Sequence, residues 1–375
     1  MALKKFFFCL TLVLFSSRLL AQGKSNYLSE PNQSKEVSYT ISAVPIYAWV
    51  YAHDKALKHY KGVTGVGFQL DLNRYRKDNK AYEFSGIKYN SGYSLQYVKF
   101  SNQDMGHVLN LSYFLEPFLI DLPRFSLRVR AAGGLNYGSN PWNLQKNPMN
   151  FTYSWHFNGY LGLGLHTHFL ISKNQALYAS ATYGHFSNGN TNNPNFGLNY
   201  PFVGIGYEHH LVQKTRPLGK VLFYPQKWRF DMGVLASNKS HPDYKHLRFW
   251  SYGFMANASY RTGNLHAWTL GLEVFKDESM EFSLKRHNIY YTSTFDMRLL
   301  GLLGGHEFLF NRMIFSQQLG YYLYNDIPKE FVGRFYHRFG INYKLTKHFM
   351  LGLNLNSNLQ KAFILDARMV FSLYR

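Results

Sequence analysis

The chain has 375 residues, of which 46% are hydrophobic and 18% aromatic, yet its mean hydropathy is only -0.28. A formal net charge of +20 suits contact with phosphorylated lipid head groups or nucleic acid, but the sequence has no basic helix or clustered Lys/Arg tract that would favour nucleic acid as a partner. The single cysteine, Cys9, lies in the first apolar stretch, which excludes disulfides, cysteine-bound metals and thiol catalysis once that stretch is removed.

The N-terminal segment has the pattern of a secretory signal peptide. Lys4 and Lys5 precede the nearly unbroken apolar run 6–15, and Ala21 offers a small residue for cleavage. The run is too short for a membrane-spanning helix, and no later stretch approaches the ~20 apolar residues that such a helix needs. We therefore expect residues 1–21 to be a signal peptide that directs the chain to the cell outer membrane. Membrane residence must then come from β-strands.

From Val37 onward the sequence repeats alternating segments of about ten residues separated by turn-rich pieces, which is typical of transmembrane β-barrels. One apolar and one polar face per strand also explains the low mean hydropathy. The 30 tyrosines and 32 phenylalanines suit the two membrane interfaces. The segments run near 37–51, 63–72, 92–100, 108–115, 125–135, 158–170, 176–186 and 200–211, then near 228–235, 249–260, 267–275, 289–297, 302–310, 313–324, 336–345, 349–355 and 362–374.

These segments predict an all-β protein, a transmembrane antiparallel β-barrel with about 16 strands in total, and the final stretch 362–374 leaves that count open by one or two. We favour one large barrel over two eight-stranded barrels, because one closure has fewer edges to protect. A sixteen-strand barrel would be wide enough for an aqueous pore, whereas eight-strand barrels are filled by side chains. The predicted organisation places a first barrel half at 22–212, a connector at 213–227 and a second barrel half at 228–375.

The tetrad 185–188, His-Phe-Ser-Asn, ends one of the alternating segments. Side chains two residues apart on a strand point the same way, so His185 and Ser187 share a face. An esterase needs a base beside its serine and an oxyanion donor close by. In this pattern His185 is the base, Ser187 the nucleophile, and Asn188 an oxyanion donor through its backbone or side-chain amide. Alone, a His-x-Ser pair is more often a polar strand end. The shared face is otherwise apolar, with Leu177, Ala179, Ala181 and Tyr183.

A connector divides the chain into two halves. Residues 214–220 break the alternation and carry proline, glycine and charge, which marks a linker.

The second half contains a tetrad similar to the one at 185–188. When the halves are aligned, the tetrad 355–358, Leu-Asn-Ser-Asn, falls opposite 185–188. It keeps the serine and the asparagine but loses the base. The second half is then a degenerate repeat, unless the likeness only reflects the period that all barrel strands share.

The tetrad and the residues after it resemble the active-site segment of the PagL family of outer-membrane lipid A 3-O-deacylases. The sequence Asn-Pro-Asn-Phe-Gly at 193–197 and the apolar strand 203–207 follow it in the family's order and spacing. The resemblance covers 37–211, and specific motifs lie only in 185–207. It implies an eight-stranded barrel whose site lies near the outer end of the seventh strand and faces the membrane. It also implies that Ser187 is the nucleophile, His185 the base and Asn188 part of the oxyanion hole.

The third member of the family's triad is missing. The family has a glutamate in the following loop, where Leu198 and Asn199 stand here, and no Asp or Glu occurs between His185 and Glu208. Alternation turns Glu208 into the lumen at the far end of its strand. Asn199 could orient His185 through its amide oxygen, as asparagine does in Cys-His-Asn proteases. A carboxylate from another strand and an inactive enzyme are the alternatives.

No metal or cofactor is predicted. His166 and His168 share a strand face, but a zinc site needs further ligands that this pattern does not supply. The pair Gly204 and Gly206 is not followed by a helix, as a dinucleotide-binding loop would be.

The favoured interpretation is an outer-membrane serine esterase, a carboxylic ester hydrolase that removes an ester-linked (3-hydroxy)acyl chain from the lipid A of lipopolysaccharide. Lipid A and outer membrane lipids are its expected partners. A dyad on the lipid-facing wall meets the ester within the outer leaflet, and basic residues at the rim pair with the lipid's phosphates. The alternative is a non-catalytic outer-membrane barrel, either a porin or a surface protein.

Overall fold

A computed structural model describes residues 34–76, 89–217, 227–241, 244, 246–263, 265–287, 298–310, 312–325, 332–358 and 361–375. The predicted signal peptide at 1–21 and the predicted strand at 289–297 lie outside these residues, as does most of the predicted connector. The all-β prediction is confirmed, because strands make up most of what is described. Among the described residues, no helix is both long and apolar enough to cross a membrane.

The first eight strands form a closed antiparallel barrel in which every strand pairs with its neighbours in sequence and β8 closes on β1. A short 3-10 helix, Lys55–Tyr60, lies between the first two strands. The last strand runs to Pro217 and so takes in the first residues of the predicted connector. The strands are β1 Ser34–Trp49, β2 Thr64–Arg76, β3 Tyr89–Phe100, β4 His107–Asp121, β5 Phe125–Gly138, β6 Phe157–Ser172, β7 Gln175–Ser187 and β8 Leu198–Pro217.

The second half forms another closed antiparallel barrel, in which β16 pairs with β9. A helix α1, Glu278–Arg286, follows the third strand of this barrel. The strands are β9 Trp228–Ser240, β10 Arg248–Arg261, β11 His266–Asp277, β12 Arg298–Phe310, β13 Met313–Tyr324, β14 Phe335–Lys344, β15 Phe349–Asn358 and β16 Lys361–Tyr374.

Two eight-stranded barrels therefore replace the single large barrel that the sequence analysis favoured, and that prediction was wrong. The argument from edges fails because a closed sheet has no free edge, so two closures expose no more backbone than one. The choice depends instead on what fills the lumen, because an eight-strand barrel is just wide enough for its own side chains.

Each lumen holds its own network of paired charges. In the first barrel, the Arg130 guanidinium lies 2.8 Å from an Asp71 carboxylate oxygen and 2.5 Å from one of Glu116. In the second, fully buried Arg338 pairs with Glu273 and Asp366. Buried charges are tolerated when they are paired in this way. Side chains thus occupy the space that a wide single barrel would have left to water.

The outward faces are apolar. Outward-facing positions on β7 and β8 include Leu177, Val203 and Ile205, and Ile205 is 72% exposed. The intervening side chains Tyr178 and Phe202 are buried in the lumen. Such alternation is typical of a barrel wall that contacts lipid.

Candidate active site

The β7–β8 hairpin brings the predicted site residues together. His185 pairs directly with Asn199 in the register of the two strands, and Phe186 pairs with Leu198. Directly paired residues on one face of an antiparallel sheet have Cβ atoms about 5 Å apart. Phe186 is buried in the lumen, so His185 and Ser187 lie on the outward face, where both are half-buried.

The serine, the histidine and the asparagine form one chain of contacts. The Nε2 atom of His185 lies 3.3 Å from Oγ of Ser187. Its other ring nitrogen, Nδ1, lies 2.6 Å from Oδ1 of Asn199. A base that contacts both the nucleophile and an orienting group is the arrangement that activates a serine. The first contact is long, and such contacts tighten when substrate binds.

His53 extends this series of contacts, although the sequence did not indicate it. Its Nδ1 atom lies 2.7 Å from Nδ2 of Asn199, and its Nε2 atom lies 3.1 Å from the carbonyl oxygen of Phe196. The backbone of Tyr51 donates to the carbonyl of Asn199 at 2.9 Å, which holds the segment after β1 against the start of β8. No sequence motif marks His53. Only the closure of the barrel between β8 and β1 brings it to the site.

The direction of these hydrogen bonds follows from the carbonyl at one end. The Phe196 oxygen can only accept, so Nε2 of His53 donates. The amide nitrogen of Asn199 can only donate, so Nδ1 of His53 accepts. Nδ2 of Asn199 then donates to His53, which leaves Oδ1 to accept from Nδ1–H of His185. Nε2 of His185 therefore presents a lone pair to Ser187. Such a lone pair can accept a proton from a hydroxyl group.

Asn188 is buried beside the serine, and its donors are engaged within the loop. Its backbone N–H donates to Oδ1 of Asn195 at 3.1 Å. Its side-chain Nδ2 lies 3.3 Å from Oγ of Ser154 and 2.9 Å from the carbonyl oxygen of Asn192. In this geometry Asn188 shapes the loop, and it can donate to a substrate only after exchanging one of these contacts.

Tyr153 anchors the neighbouring loop beneath the site. Its ring packs edge-on against Phe186 at 5.3 Å, and its hydroxyl donates to the carbonyl of Met105 at 3.1 Å. Burial raises the pKa of Tyr153 to about 12, so the phenol stays neutral and remains a donor. The next residue, Ser154, accepts from the side chain of Asn188. Tyr153 therefore helps to hold Ser154 in place. Ser154 in turn contacts Asn188 in the loop of residues 188–197, which we call the site loop.

Gly197 allows the loop to cover the dyad closely. Its φ of +72° favours glycine. A Cβ atom there would lie 2.6 Å from Cε1 of His185 and 3.2 Å from Cβ of Ser187. Any larger residue would push the loop away from the dyad.

The site loop also contacts the second barrel. The carbonyl of Thr191 accepts from the backbone N–H of Ser240 at 3.0 Å, and the backbone N–H of Asn193 donates to Oγ of Ser240 at 2.9 Å. Gly189 has a φ of +65°, and a Cβ atom there would lie 2.8 Å from Leu365. The second barrel thus supports the loop that follows Ser187.

The other candidates lie away from the dyad. Glu208 pairs in register with Ala176 at the opposite end of the hairpin, and its carboxylate accepts from Asn73 at 3.1 Å. Nδ1 of His166 lies 2.9 Å from a Glu116 oxygen in the lumen. Within the described ranges, no group of three His, Cys, Asp or Glu side chains is arranged to hold a metal ion.

The protein thus contains a small closed barrel with a candidate hydrolase site. An imidazole, a hydroxyl and an amide meet there on the outward, apolar wall. Residues 62–208 match the family model described as lipid A 3-O-deacylase (PagL). Residues 228–375 match the model described as the acyloxyacyl hydrolase, C-terminal domain. The chain belongs to the PagL family, and it is an ester hydrolase.

Solved structures resemble the chain only distantly. A de novo designed transmembrane β-barrel has 12% identity and a TM-score of 0.21, with 49% of this chain and 100% of that chain covered. A mutant of the Rh. blastica porin has 9% identity and a TM-score of 0.17, with 90% and 99% covered. The NanC porin has 5% identity and a TM-score of 0.17, with 89% and 99% covered. A search among curated proteins found no match.

Proposed function

We propose that the protein is an outer-membrane serine esterase that removes an ester-linked (3-hydroxy)acyl chain from lipid A, with Ser187 as the nucleophile. The observation that carries this proposal is the continuous hydrogen-bond chain from Ser187 through His185 and Asn199 to His53. This series of hydrogen bonds leaves Nε2 of His185 unprotonated and facing the hydroxyl of Ser187, as general-base catalysis requires.

In the first step, Nε2 of His185 takes the proton of Ser187 while Oγ attacks the ester carbonyl carbon. The tetrahedral intermediate carries a negative oxygen, which Asn188 stabilises after exchanging a loop contact for the substrate. The intermediate then collapses, and the bond between the acyl carbon and the sugar oxygen breaks. His185 returns the proton to this departing sugar oxygen. The acyl chain remains as an ester on Ser187.

In the second step, water replaces the sugar. His185 takes a proton from the water, the resulting hydroxide attacks the acyl-serine carbonyl, and Ser187 leaves with the proton from His185. The products are a free fatty acid and deacylated lipid A. Asn199 holds the imidazole in the same orientation throughout. Because a neutral amide stabilises an imidazolium less than a carboxylate does, we expect a slower enzyme than one with a complete Ser-His-acid triad.

The position of the dyad suits a substrate that arrives from the membrane. His185 and Ser187 share the outward, apolar face of β7, so an acyl ester can reach them without leaving the leaflet. The 3-10 helix begins two residues after His53. It brings exposed lysines to this end of the barrel, where they can pair with the lipid's phosphates. These are Lys55, Lys58 and, directly after the helix, Lys61.

We also propose how the polypeptide is divided into segments. Residues 1–21 act as the signal peptide, 22–212 as the catalytic half, 213–227 as the connector and 228–375 as a degenerate repeat. Both halves close with eight strands in the same order, which supports a duplication. Ser357 lies on the seventh strand of its barrel, as Ser187 does, but Leu355 stands where the base would be.

Three substitutions test the proposal in cells, with lipid A mass as the readout. Ser187→Ala and His185→Ala should each abolish deacylation, because the nucleophile and base act as one unit. Ser357→Ala is the matched control and should leave activity unchanged. Heat-modifiable migration on a gel should show a folded barrel in all three variants.

The outcomes separate the alternatives. If Ser187→Ala still releases an acyl chain, the serine mechanism is wrong. If Ser357→Ala is the inactive variant, the catalytic half has been misplaced. The mass of the released acid identifies the chain that is cleaved.

A further inference from the structure

The second barrel contains a cavity of about 420 Å³ at the end where β9 begins and β16 ends. This is the opposite end of β9 from Ser240, which contacts the active-site loop. Among the described residues, the lining includes Trp228 and Tyr374 and no Asp or Glu side chain. Six cationic side chains also line it: Lys227, Arg229, Arg261, Arg312, Lys344 and Lys347.

The carboxylates below the cavity are taken by one of these cations. The Arg229 guanidinium lies 2.8 Å from a Glu307 oxygen and 2.9 Å from an Asp231 oxygen. The other five cationic side chains also line the cavity, and the described part of its lining holds no Asp or Glu side chain. Such a concentration of one charge in a concave, partly enclosed space attracts anions strongly.

Three of the cations point into the lumen rather than toward lipid. Arg229 is only 6% exposed. Arg261 pairs in register with Ala267, and Lys344 pairs with Met350, both of which are buried in the lumen. Directly paired residues share a face. Cations that only met the membrane surface would lie on the outward face, so these three are placed to face the cavity instead.

We propose that this cavity binds a ligand carrying more than one phosphate group. Arginine and lysine are the usual partners of phosphate oxygens, and several of them around one space favour a polyanion over a single charge. The volume falls within the range of small-molecule sites, about 300–1,000 Å³. The phosphates can belong to a soluble compound or to a lipid head group at that membrane surface. The site is independent of Ser187.

Titration calorimetry of the full-length chain in phosphatidylcholine nanodiscs, with inorganic pyrophosphate as the probe, tests the site. The double variant Arg261→Gln/Lys344→Gln should weaken saturable binding at least tenfold. The control Arg124→Gln/Lys173→Gln removes the same charge from exposed turns of the first barrel, and its affinity should stay within twofold of the unsubstituted chain. Both variants should keep heat-modifiable migration and deacylation, so failure here is distinguishable from failure of the esterase proposal.

Two results would overturn the site: no saturable binding of pyrophosphate, or equal weakening in the two double variants, which would mean attraction by net charge alone. Nanodiscs that also contain cardiolipin, a lipid with two phosphates, distinguish the source. If pyrophosphate affinity falls there for the unsubstituted chain but not for Arg261→Gln/Lys344→Gln, the head group is the ligand. Unchanged affinity for the unsubstituted chain assigns the site to a soluble compound.

Discussion

The Nδ1 atom of His53 accepts a hydrogen bond from Nδ2 of Asn199 at 2.7 Å, and this contact decides which way the amide faces. With its nitrogen toward His53, Asn199 offers its oxygen to His185. A neutral amide, rather than a carboxylate, can therefore hold the base in one tautomer.

His53 is expected to act as a positioning residue. His53→Phe removes the acceptor for the Asn199 amide, which can then turn round. We expect kcat to fall about fivefold with KM nearly unchanged, because a hydrogen bond contributes about 1 kcal/mol. His53→Gln keeps an acceptor oxygen and should restore most of the rate. Steady-state kinetics on lipid A in micelles measure both, and equal losses in the two variants would contradict this role.

Substitutions at Asn199 separate orientation from charge. Asn199→Leu cannot orient the imidazole, and kcat should fall by about 10²-fold or more. Asn199→Asp places a negative charge beside His185, which stabilises the imidazolium. Its activity should be retained, with the half-maximal rate moved to higher pH. If Asn199→Leu is as active as the unsubstituted enzyme, another group orients the base.

The contact between the site loop and the second barrel should affect catalysis. Gly189→Ala places a Cβ 2.8 Å from Leu365 and should lower kcat about tenfold by displacing the loop. Gly62→Ala is the control, because Gly62 also has a positive φ, +87°, but nothing lies within 4 Å of its added Cβ. Adding Leu365→Gly to Gly189→Ala should recover most of the loss. If Gly62→Ala and Gly189→Ala have equal activity, the contact with the second barrel does not affect catalysis.

Single-channel recording tests the filled lumens. The paired charges around Arg130 and Arg338 occupy the interior of each barrel, so the protein should give no stable conductance steps in a planar bilayer. A sixteen-strand porin of the same length should give nanosiemens-scale steps. Such steps here would argue for an open passage through one barrel.

The strands could be predicted because alternation is a local property. The predicted segment 176–186 and the observed strand β7 nearly coincide, and the cross-strand position of Asn199 follows from a hairpin. Closure could not be predicted in the same way. Whether β8 pairs with β1 or continues to β9 depends on contacts between residues far apart in the sequence, and every strand carries the same period.

The residues of the candidate site likewise fall into those that the sequence could predict and those that it could not. His185 and Ser187 are near neighbours on a strand, so their spacing marks them in the sequence. His53 reaches Asn199 only across the closing seam of the barrel, and Ser240 reaches Asn193 only because a second barrel lies beside the first. The contacts that occupy the donors of Asn188 arise from a loop whose path is set by packing rather than by period.

The filled lumens also bear on how much of this protein a cell can carry. An outer membrane protects the cell by excluding small polar toxins, and every open channel weakens that barrier. Barrels closed by buried ion pairs should add catalytic wall area without adding permeability. A larger number of copies should therefore leave the passage of small solutes across the membrane unchanged.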